Sequence, residues 1–231
     1  MANWWKKQSY HWDFSILWQY HAVLLEGILT TFKIVLASVT LSILGGALLA
    51  PLRGASRAVI RLPTQGLIEI VRSIPPLVLI VWAYYCLPIL FGLTLSSYLT
   101  CVLAISLYGS VFFAEIFRSG MQSVDHGLVE AGLSVGMSPL KVLVRITAPV
   151  AFLRILPAFV SQCVMSVKNS VLASYIATGE ILYQGQRLST ATFRPLETLT
   201  FVALFFVATI LPLSLLASYA ERRIRSRYFK R

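Results

Sequence analysis

Long apolar stretches alternate with shorter polar segments along this chain. Because a helix needs about 20 residues to cross the hydrocarbon core of a bilayer, each long stretch is a candidate membrane span. The second stretch has a purely apolar part of only 16 residues and reaches the required length by including the amphipathic residues 62–74. The pattern predicts about five spans, over residues 27–52, 62–91, 93–117, 148–167 and 199–219.

These stretches are predicted to be helices. In lipid every backbone hydrogen bond must be made within the protein, which leaves helix bundles or closed barrels, and the stretches lack the alternation of barrel strands. The composition agrees, with 57% hydrophobic and only 13% charged residues, where soluble proteins have about a quarter charged. We therefore expect an all-α integral membrane protein, with residues 1–231 forming a single transmembrane domain.

The basic residues predict the orientation of the chain. The formal net charge is +11, and three segments, 53–72, 118–154 and 219–231, contain 14 of the 20 lysines and arginines. Cytoplasmic loops carry an excess of such residues, so the amino terminus is predicted outside and the carboxyl terminus in the cytoplasm. This distribution explains the charge by topology and contact with the lipid bilayer, and no nucleic acid is expected as a partner.

Candidate chemistry within the chain is sparse. Cys86, Cys101 and Cys163 lie in or beside apolar spans without metal-like spacing, so no metal site is expected. The phosphate-binding pattern G-x-x-x-x-G-K-[ST] does not occur. Any ATP and Mg²⁺ are therefore expected on a partner, and this chain is not expected to be an enzyme. The first residues predict an interfacial anchor, with Trp4, Trp5, Lys6 and Lys7.

The cytoplasmic loop 118–147 is more structured than a linker. Residues 127–135 favour a helix, Gly136 suits the left-handed position after it, Ser138 suits an N-cap, and Pro139 suits the first position of a second helix. This pattern predicts a helix, a glycine corner and a second helix. Its aliphatic residues would be buried in a partner's groove or would lie on lipid: Leu128, Val129, Leu133 and Val135.

The outer segment 168–198 begins with Lys168, Asn169 and Ser170, and continues through apolar residues 171–177 to a polar, glycine-containing stretch. It fits either a re-entrant gate or a plain lid over the bundle. A polar solute that crossed the bundle would need polar partners near the midplane, and the three residues at the outer end of the fourth span are the candidates for such a path. A snorkelling lysine with a polar turn is the alternative.

A charged side chain in or near a span costs free energy, so each such residue is expected to make a specific contact within the protein. Lys33, in the first span, is interpreted as pointing into the bundle. Glu115 precedes Arg118 by three residues, the spacing of a local ion pair at the cytoplasmic end of the third span.

The corner also carries a family resemblance. Glu130-Ala131-Gly132, then three residues, Gly136, and later Ile146 and Pro149 resemble the EAA loop of ABC importer permeases. Gly132 stands in place of the second alanine, and Ala148 stands where leucine is usual. Other segments resemble the polar amino acid branch, of the glutamate/aspartate or histidine type: residues 27–33 (GILTTFK), 71–76 (VRSIPP), 114–124 (AEIFRSGMQSV), 167–174 (VKNSVLAS) and 192–197 (TFRPLE).

The resemblance implies the type I importer permease fold, in a multi-pass protein of the bacterial cytoplasmic (inner) membrane. It implies three kinds of partner: a second permease subunit, identical or homologous, ABC ATPase subunits, and an extracytoplasmic solute-binding protein. Asn169 stands where aspartate is frequent in this branch, which favours an acidic or neutral polar solute. The residues implied to couple to the ATPase are Glu130, Ala131, Gly132, Gly136, Ile146 and Pro149.

Two other classes of function would leave different patterns in the sequence. A secondary transporter or channel driven by ion gradients would predict inverted repeats and intramembrane carboxylate relays. A membrane-embedded enzyme would need a nucleophile with a base, or clustered metal ligands. Neither pattern is visible in the sequence.

Overall fold

The computed structural model describes the backbone of residues 10–228, and side chains up to Tyr219 together with Arg222. The predicted anchor of Trp4, Trp5, Lys6 and Lys7 lies outside the described residues, as do the last three residues of the basic tail. Ten α-helices are described: α1 (Ser15–Gln19), α2 (His21–Arg53), α3 (Ala58–Ser73), α4 (Pro76–Phe91), α5 (Ser97–Gln122), α6 (His126–Ser134), α7 (Pro139–Val142), α8 (Ala148–Asn169), α9 (Ile181–Thr192) and α10 (Pro195–Tyr228).

Four helical runs are long and apolar enough to cross a membrane: α2, α5, the run Pro139–Ile176 and α10 as far as Tyr219. In the third run, a π-helical turn (Leu143–Thr147) joins α7 to α8, and a 3-10 helix (Ser170–Ile176) follows α8. The fold is all-α, as predicted. A fifth span is present if α3 and α4 are counted together.

The predicted second span, 62–91, is not one straight helix. Its two parts, α3 and α4, are bent by 98° relative to each other. Between them Ile74 has extended backbone angles, with φ −90° and ψ 125°, as expected of a residue that precedes proline. Pro75 and Pro76 have no N–H to continue the ladder of α3, so the helix ends there.

Small residues bring α2 and α5 into close contact along their length. Ser38 Oγ donates to Val102 O over 3.5 Å, and Ser42 Oγ donates to Ser106 O over 3.3 Å. A Cβ at Gly45 would collide with the side chain of Ser110. Since apolar side chains gain little by leaving lipid, close packing and hydrogen bonds between helices hold this pair together.

The buried face of α2 follows helical spacing through Leu24, Thr31, Ile34 and Ser38. Lys33 lies off that face, and its side chain is exposed. The interpretation that Lys33 points into the bundle is therefore wrong for this chain on its own, because its neighbour Ile34 occupies the inward direction.

The ion pair predicted at the end of the third span is confirmed. Arg118 Nη2 lies 2.8 Å from Glu115 Oε2. A second arginine, Arg53 at the end of α2, donates from Nε to Glu115 Oε1 over 3.1 Å. The carboxylate thus ties the ends of α2 and α5 together, which spacing along one helix could not show.

Candidate functional site

The cytoplasmic corner has the predicted local structure. Helix α6 ends at Ser134, and Gly136 has a φ of +80°, in the left-handed region that favours glycine. Ser138 Oγ accepts a hydrogen bond from Lys141 N over 3.4 Å, and Pro139 opens α7. At the other end, Asp125 Oδ1 caps α6 by accepting from Gly127 N over 2.8 Å, which was not predicted.

The inside of the corner is packed around Gly132. This residue is buried, and a Cβ on it would lie 2.7 Å from Ile146 Cδ1 and 3.1 Å from Val142 Cγ2. Two of the predicted coupling residues, Gly132 and Ile146, are therefore in contact across the corner. Helix α6 is held against α7 and the π-helical turn at this point, and the turn runs directly into α8.

The outside of the corner is apolar and is not covered by the described part of the chain. Val135 is 78% exposed and Leu140 69% exposed, and Leu128 and Leu133 are also exposed. The predicted coupling residues Glu130, Ala131 and Pro149 are exposed as well. Among the side chains that the structure describes, up to Tyr219 together with Arg222, that of Glu130 makes no hydrogen bond or ion pair, whereas its backbone oxygen accepts from Ser134 Oγ.

The segment after α8 enters the bundle. Ala173 and Ile176, in the 3-10 helix, are buried against Ile34, Ile80 and Ile105. Ile34 lies 13 residues into α2, about 20 Å from its start at 1.5 Å per residue. The segment is therefore surrounded by three helices at that depth, which does not fit a lid resting on the end of the bundle.

Helix α9 then runs back toward the end where α2 begins. Ile181 N donates to Thr31 Oγ1 over 3.1 Å, and Leu188 packs in a cluster with Leu24. Just past α9, Arg194 Nη1 donates to His11 O over 2.7 Å. The segment therefore begins at mid-depth, at the end of α8, and α9 continues to the end of the bundle where α2 begins. Residues 168–198 complete a passage across the bundle and fit neither a lid nor a segment that enters and leaves on one side.

The three solute-path candidates lie in different surroundings. Lys168 is exposed and lines a cavity of about 290 Å³ between α8 and α10. Asn169 is half-buried, and Ser170 is fully buried with its Oγ donating to Val167 O over 2.7 Å. The structure thus brings Lys168, and not Ser170, to an open cavity.

Two buried glutamates were missed by sequence reasoning. Glu180 is fully buried and caps α9, accepting from Tyr183 N over 2.7 Å and from Leu182 N over 2.9 Å. Glutamate is not among the residues that favour an N-cap, so the local sequence carries no signal for this role. Within the described part of the chain, no group of three or more His, Cys, Asp or Glu residues could hold a metal ion.

The second missed residue, Glu197, fastens the amino-terminal segment to the start of α10. It is fully buried, and it accepts from Tyr10 OH over 2.5 Å and from Asp13 N over 2.9 Å. Arg194 Nη1 lies 3.5 Å from its Oε1. The hydrogen bond to Glu197 raises the pKa of Tyr10. The i,i+3 spacing of Arg194 and Glu197 could have indicated the ion pair, but not the partners from the other end of the chain.

Residues 27–227 match the model of a protein family described as "Binding-protein-dependent transport system inner membrane component". The chain is 30% identical over 218 residues to the glutamine transport system permease protein GlnP of Escherichia coli K12, covering 92% of this chain and 98% of that protein. It is 31% identical to the probable glutamine ABC transporter permease protein GlnM of Bacillus subtilis 168, covering 93% and 99%. A crystal structure of an amino acid ABC transporter with histidines matches with a TM-score of 0.84 and 29% identity, covering 93% of this chain and 100% of that chain.

Proposed function

We propose a function from the premise that this chain belongs to the family of binding-protein-dependent transport system inner membrane components, as a permease subunit of an ABC importer for polar amino acids. It is a multi-pass protein of the inner membrane. The proposal is that it forms half of the importer's channel, and that ATPase subunits drive it through the corner of α6, Gly136 and α7. The alternative considered for the sequence, a secondary transporter or channel driven by ion gradients, is therefore not proposed.

The continuity of the corner with the membrane helices supports this proposal. From Pro139 to Ile176 the backbone is helical without a break, through α7, the π-helical turn, α8 and the 3-10 helix. A displacement of α6 by the ATPase would be transmitted to this helical run through the contact between Gly132 and Ile146. The same run contains Lys168, Asn169 and Ser170, so a movement at its cytoplasmic end would reach the candidate solute path directly.

Each predicted coupling residue has a role in this proposal. The exposed aliphatic side chains of the corner occupy a groove of the ATPase, as an amphipathic helix docks in a partner. Glu130, free of partners in the described residues, makes polar contacts with the ATPase. Gly132 and Ile146 lock the corner together, Gly136 makes the turn, and Ala131 and Pro149 lie at the exposed margins of the docking face.

The other partners follow from the same function. A second permease subunit, identical or homologous, completes the channel, and a solute-binding protein delivers the amino acid to the outer face. ATP and Mg²⁺ are bound by the ATPase. The amino terminus lies outside and the carboxyl terminus in the cytoplasm. The solute is an acidic or neutral polar amino acid, consistent with the glutamine named for two relatives.

The substitution Gly136→Val tests the corner. A Cβ at this position meets no atom within 4 Å, so the cost arises from a β-branched residue at φ +80° and not from collision. We expect the assembled importer in proteoliposomes to lose transport while the ATPase continues to hydrolyse ATP. Gly136→Asn, which tolerates the left-handed region, should retain transport. Gly66→Val, in open space in α3 at an ordinary φ, is the matched control. Normal transport by Gly136→Val would contradict the proposal.

A further inference from the structure

The segment before α2 presents aromatic side chains that the described part of the chain leaves uncovered. Trp18 is 83% exposed, Trp12 52% and Phe14 51%. The rings of Trp12 and Phe14 stack, with their centroids 5.5 Å apart. An exposed apolar patch of this kind marks a surface that contacts another protein or a membrane.

Polar contacts with the start of α10 hold this segment in one position. The carboxylate of Glu197 accepts from Tyr10 OH over 2.5 Å and from Asp13 N over 2.9 Å. Arg194 Nη1 donates to His11 O over 2.7 Å. The aromatic patch is therefore a fixed surface that is attached to α10.

The short helix α1 has three different sides. Ile16 is buried against the bundle. Phe14 and Trp18 are four residues apart, so they share a second side, which is aromatic and exposed. Ser15 and Gln19 share a third side, which is polar and exposed. An apolar side next to a polar side is typical of a segment that lies at the boundary between lipid and water.

Packing against α10 shows the level of Trp18 along the bundle. Leu24 belongs to the same hydrophobic cluster as Val202 of α10. At 1.5 Å per residue, Trp18 lies about 9 Å before Leu24, and Val202 lies about 10 Å after Pro195, where α10 begins. Trp18 is therefore level with the start of α10, close to residue 199, at which the apolar span of that helix was predicted to begin.

The aromatic patch continues into the apolar surface of a membrane span. Helix α2 has exposed leucines at helical spacing: Leu25, Leu29 and Leu36. Trp18 precedes the first of them by seven residues, or two turns. The helical register is kept across the junction of α1 and α2, because Tyr20 N donates to Ile16 O over 2.9 Å. This continuity favours lipid as the occupant of the patch over a protein that approaches from the water.

We propose that Trp12, Phe14 and Trp18 are immersed in the lipid headgroup region at the end of the bundle where α2 begins. Residues 10–20 thus form a membrane-surface anchor that is clamped to α10 through Glu197. Tryptophan suits this depth, because its ring is apolar and carries an N–H donor. In the orientation of the proposed function, the anchor lies in the outer leaflet. Residues 10–20 contain no lysine or arginine, so the anchor does not depend on anionic lipid.

A nitroxide label at Trp18→Cys tests the anchor. The label is attached to the permease and ATPase complex in proteoliposomes, with all other cysteines of the complex replaced. Its collisions are measured with O₂, which concentrates in lipid, and with a nickel chelate, which stays in water. The ratio of O₂ to nickel collisions at Trp18→Cys should lie between that of Leu36→Cys, the deep reference, and that of Gln19→Cys. Gln19 is the matched control, because it is the next residue of α1 and lies on its polar side. Equal ratios at Trp18→Cys and Gln19→Cys would overturn the proposal.

A second label, at Phe14→Cys, should report the same depth, and it decides the test if Trp18→Cys does not assemble. The collision ratio of either label should be equal in vesicles of phosphatidylcholine alone and in vesicles that also contain phosphatidylglycerol. A shift of the label into water in the neutral vesicles would contradict an anchor made by aromatic side chains.

A protein partner on the outer face is the rival occupant of the patch. Addition of the solute-binding protein with its amino acid should leave the collisions at Trp18→Cys and Phe14→Cys unchanged. If the binding protein instead abolishes collisions with both O₂ and nickel, the patch is a protein docking surface and the lipid anchor is overturned. ATP-dependent uptake, measured in the same vesicles, tests the importer function separately.

Discussion

At the scale of single residues, backbone strain is visible at Phe193. This residue has a φ of +54° and is 86% exposed, at the turn between α9 and α10. A bulky residue in the left-handed region costs about 1–2 kcal/mol, and glycine avoids that cost. Because little contact is lost, Phe193→Gly should raise the free energy of unfolding by about 1 kcal/mol.

Thermal unfolding in detergent would measure this effect. The matched control is Ala191→Gly, an exposed position inside the last turn of α9, where glycine should lower the free energy of unfolding by about 1 kcal/mol. An equal fall in both variants would show that Phe193 is not strained.

The hydroxyl of Tyr10 should also stabilise the fold, because it donates to the buried Glu197. Tyr10→Phe removes that donor, so the melting temperature should fall. The pKa of Tyr10 is raised from its usual value of 10.0, mainly by this hydrogen bond. The contribution is therefore complete below pH 10 and is lost as the pH rises through the raised pKa.

Melting temperatures of wild type and Tyr10→Phe should thus differ at pH 8 and converge at strongly alkaline pH. Tyr98→Phe, at an exposed tyrosine without a hydrogen bond from its hydroxyl in the described residues, is the control. A difference that grows with pH would contradict this account.

At the scale of elements, the contact between α2 and α5 depends on the absence of side-chain atoms. A Cβ at Gly45 would collide with Ser110 Oγ and approach its Cβ to 2.9 Å. Gly45→Ala should therefore destabilise the protein by about 1–3 kcal/mol through overpacking, although alanine is the better helix former. Adding Ser110→Gly removes both obstructing atoms.

A double-mutant cycle measured by thermal unfolding tests this contact. The loss at Gly45→Ala should be partly recovered in the presence of Ser110→Gly, with a coupling energy above about 0.5 kcal/mol. Gly66→Ala, in open space in α3, should not destabilise. Strictly additive effects of the two substitutions would contradict this close contact, because they would mean that α2 and α5 can move apart without loss of stability.

The corner could be predicted from sequence because each of its signals is local. Gly136, Ser138 and Pro139 act on the backbone within one turn of themselves, and all three have the predicted conformation. The break before α4 was missed, although Pro75 and Pro76 are helix-ending residues. The span was predicted from the length of its apolar stretch, and that length does not show whether the helix bends within it.

At the scale of the whole molecule, the missed features are those that join distant parts of the chain. Glu197 binds Tyr10, 187 residues away, and Arg53 binds Glu115 from another helix. The surroundings of Lys168 also depend on packing, because residues of α8 and α10 together line the cavity beside it. Sequence reasoning placed Lys168 at the outer mouth of the fourth span, whereas the cavity places it beside Ser214 of α10.

The spans and the charge asymmetry could be recognised because composition responds to lipid residue by residue. Which faces of the helices pack against one another could not be recognised from the sequence. Lys33 illustrates this, because it is exposed although Ile34, the next residue of α2, is buried.

The central claim is that a cytoplasmic corner connects this membrane bundle to its ATPase, and cysteine labelling at Val135 tests it most directly. The variant Val135→Cys would be made with Cys86, Cys101 and Cys163 replaced, since Val135 is 78% exposed on the outer side of the corner. A membrane-impermeant maleimide should fail to label it in intact spheroplasts and should label it after permeabilisation. Co-assembly with the ATPase subunits should then protect it. Labelling in intact spheroplasts, or equal labelling with and without the ATPase, would contradict the account.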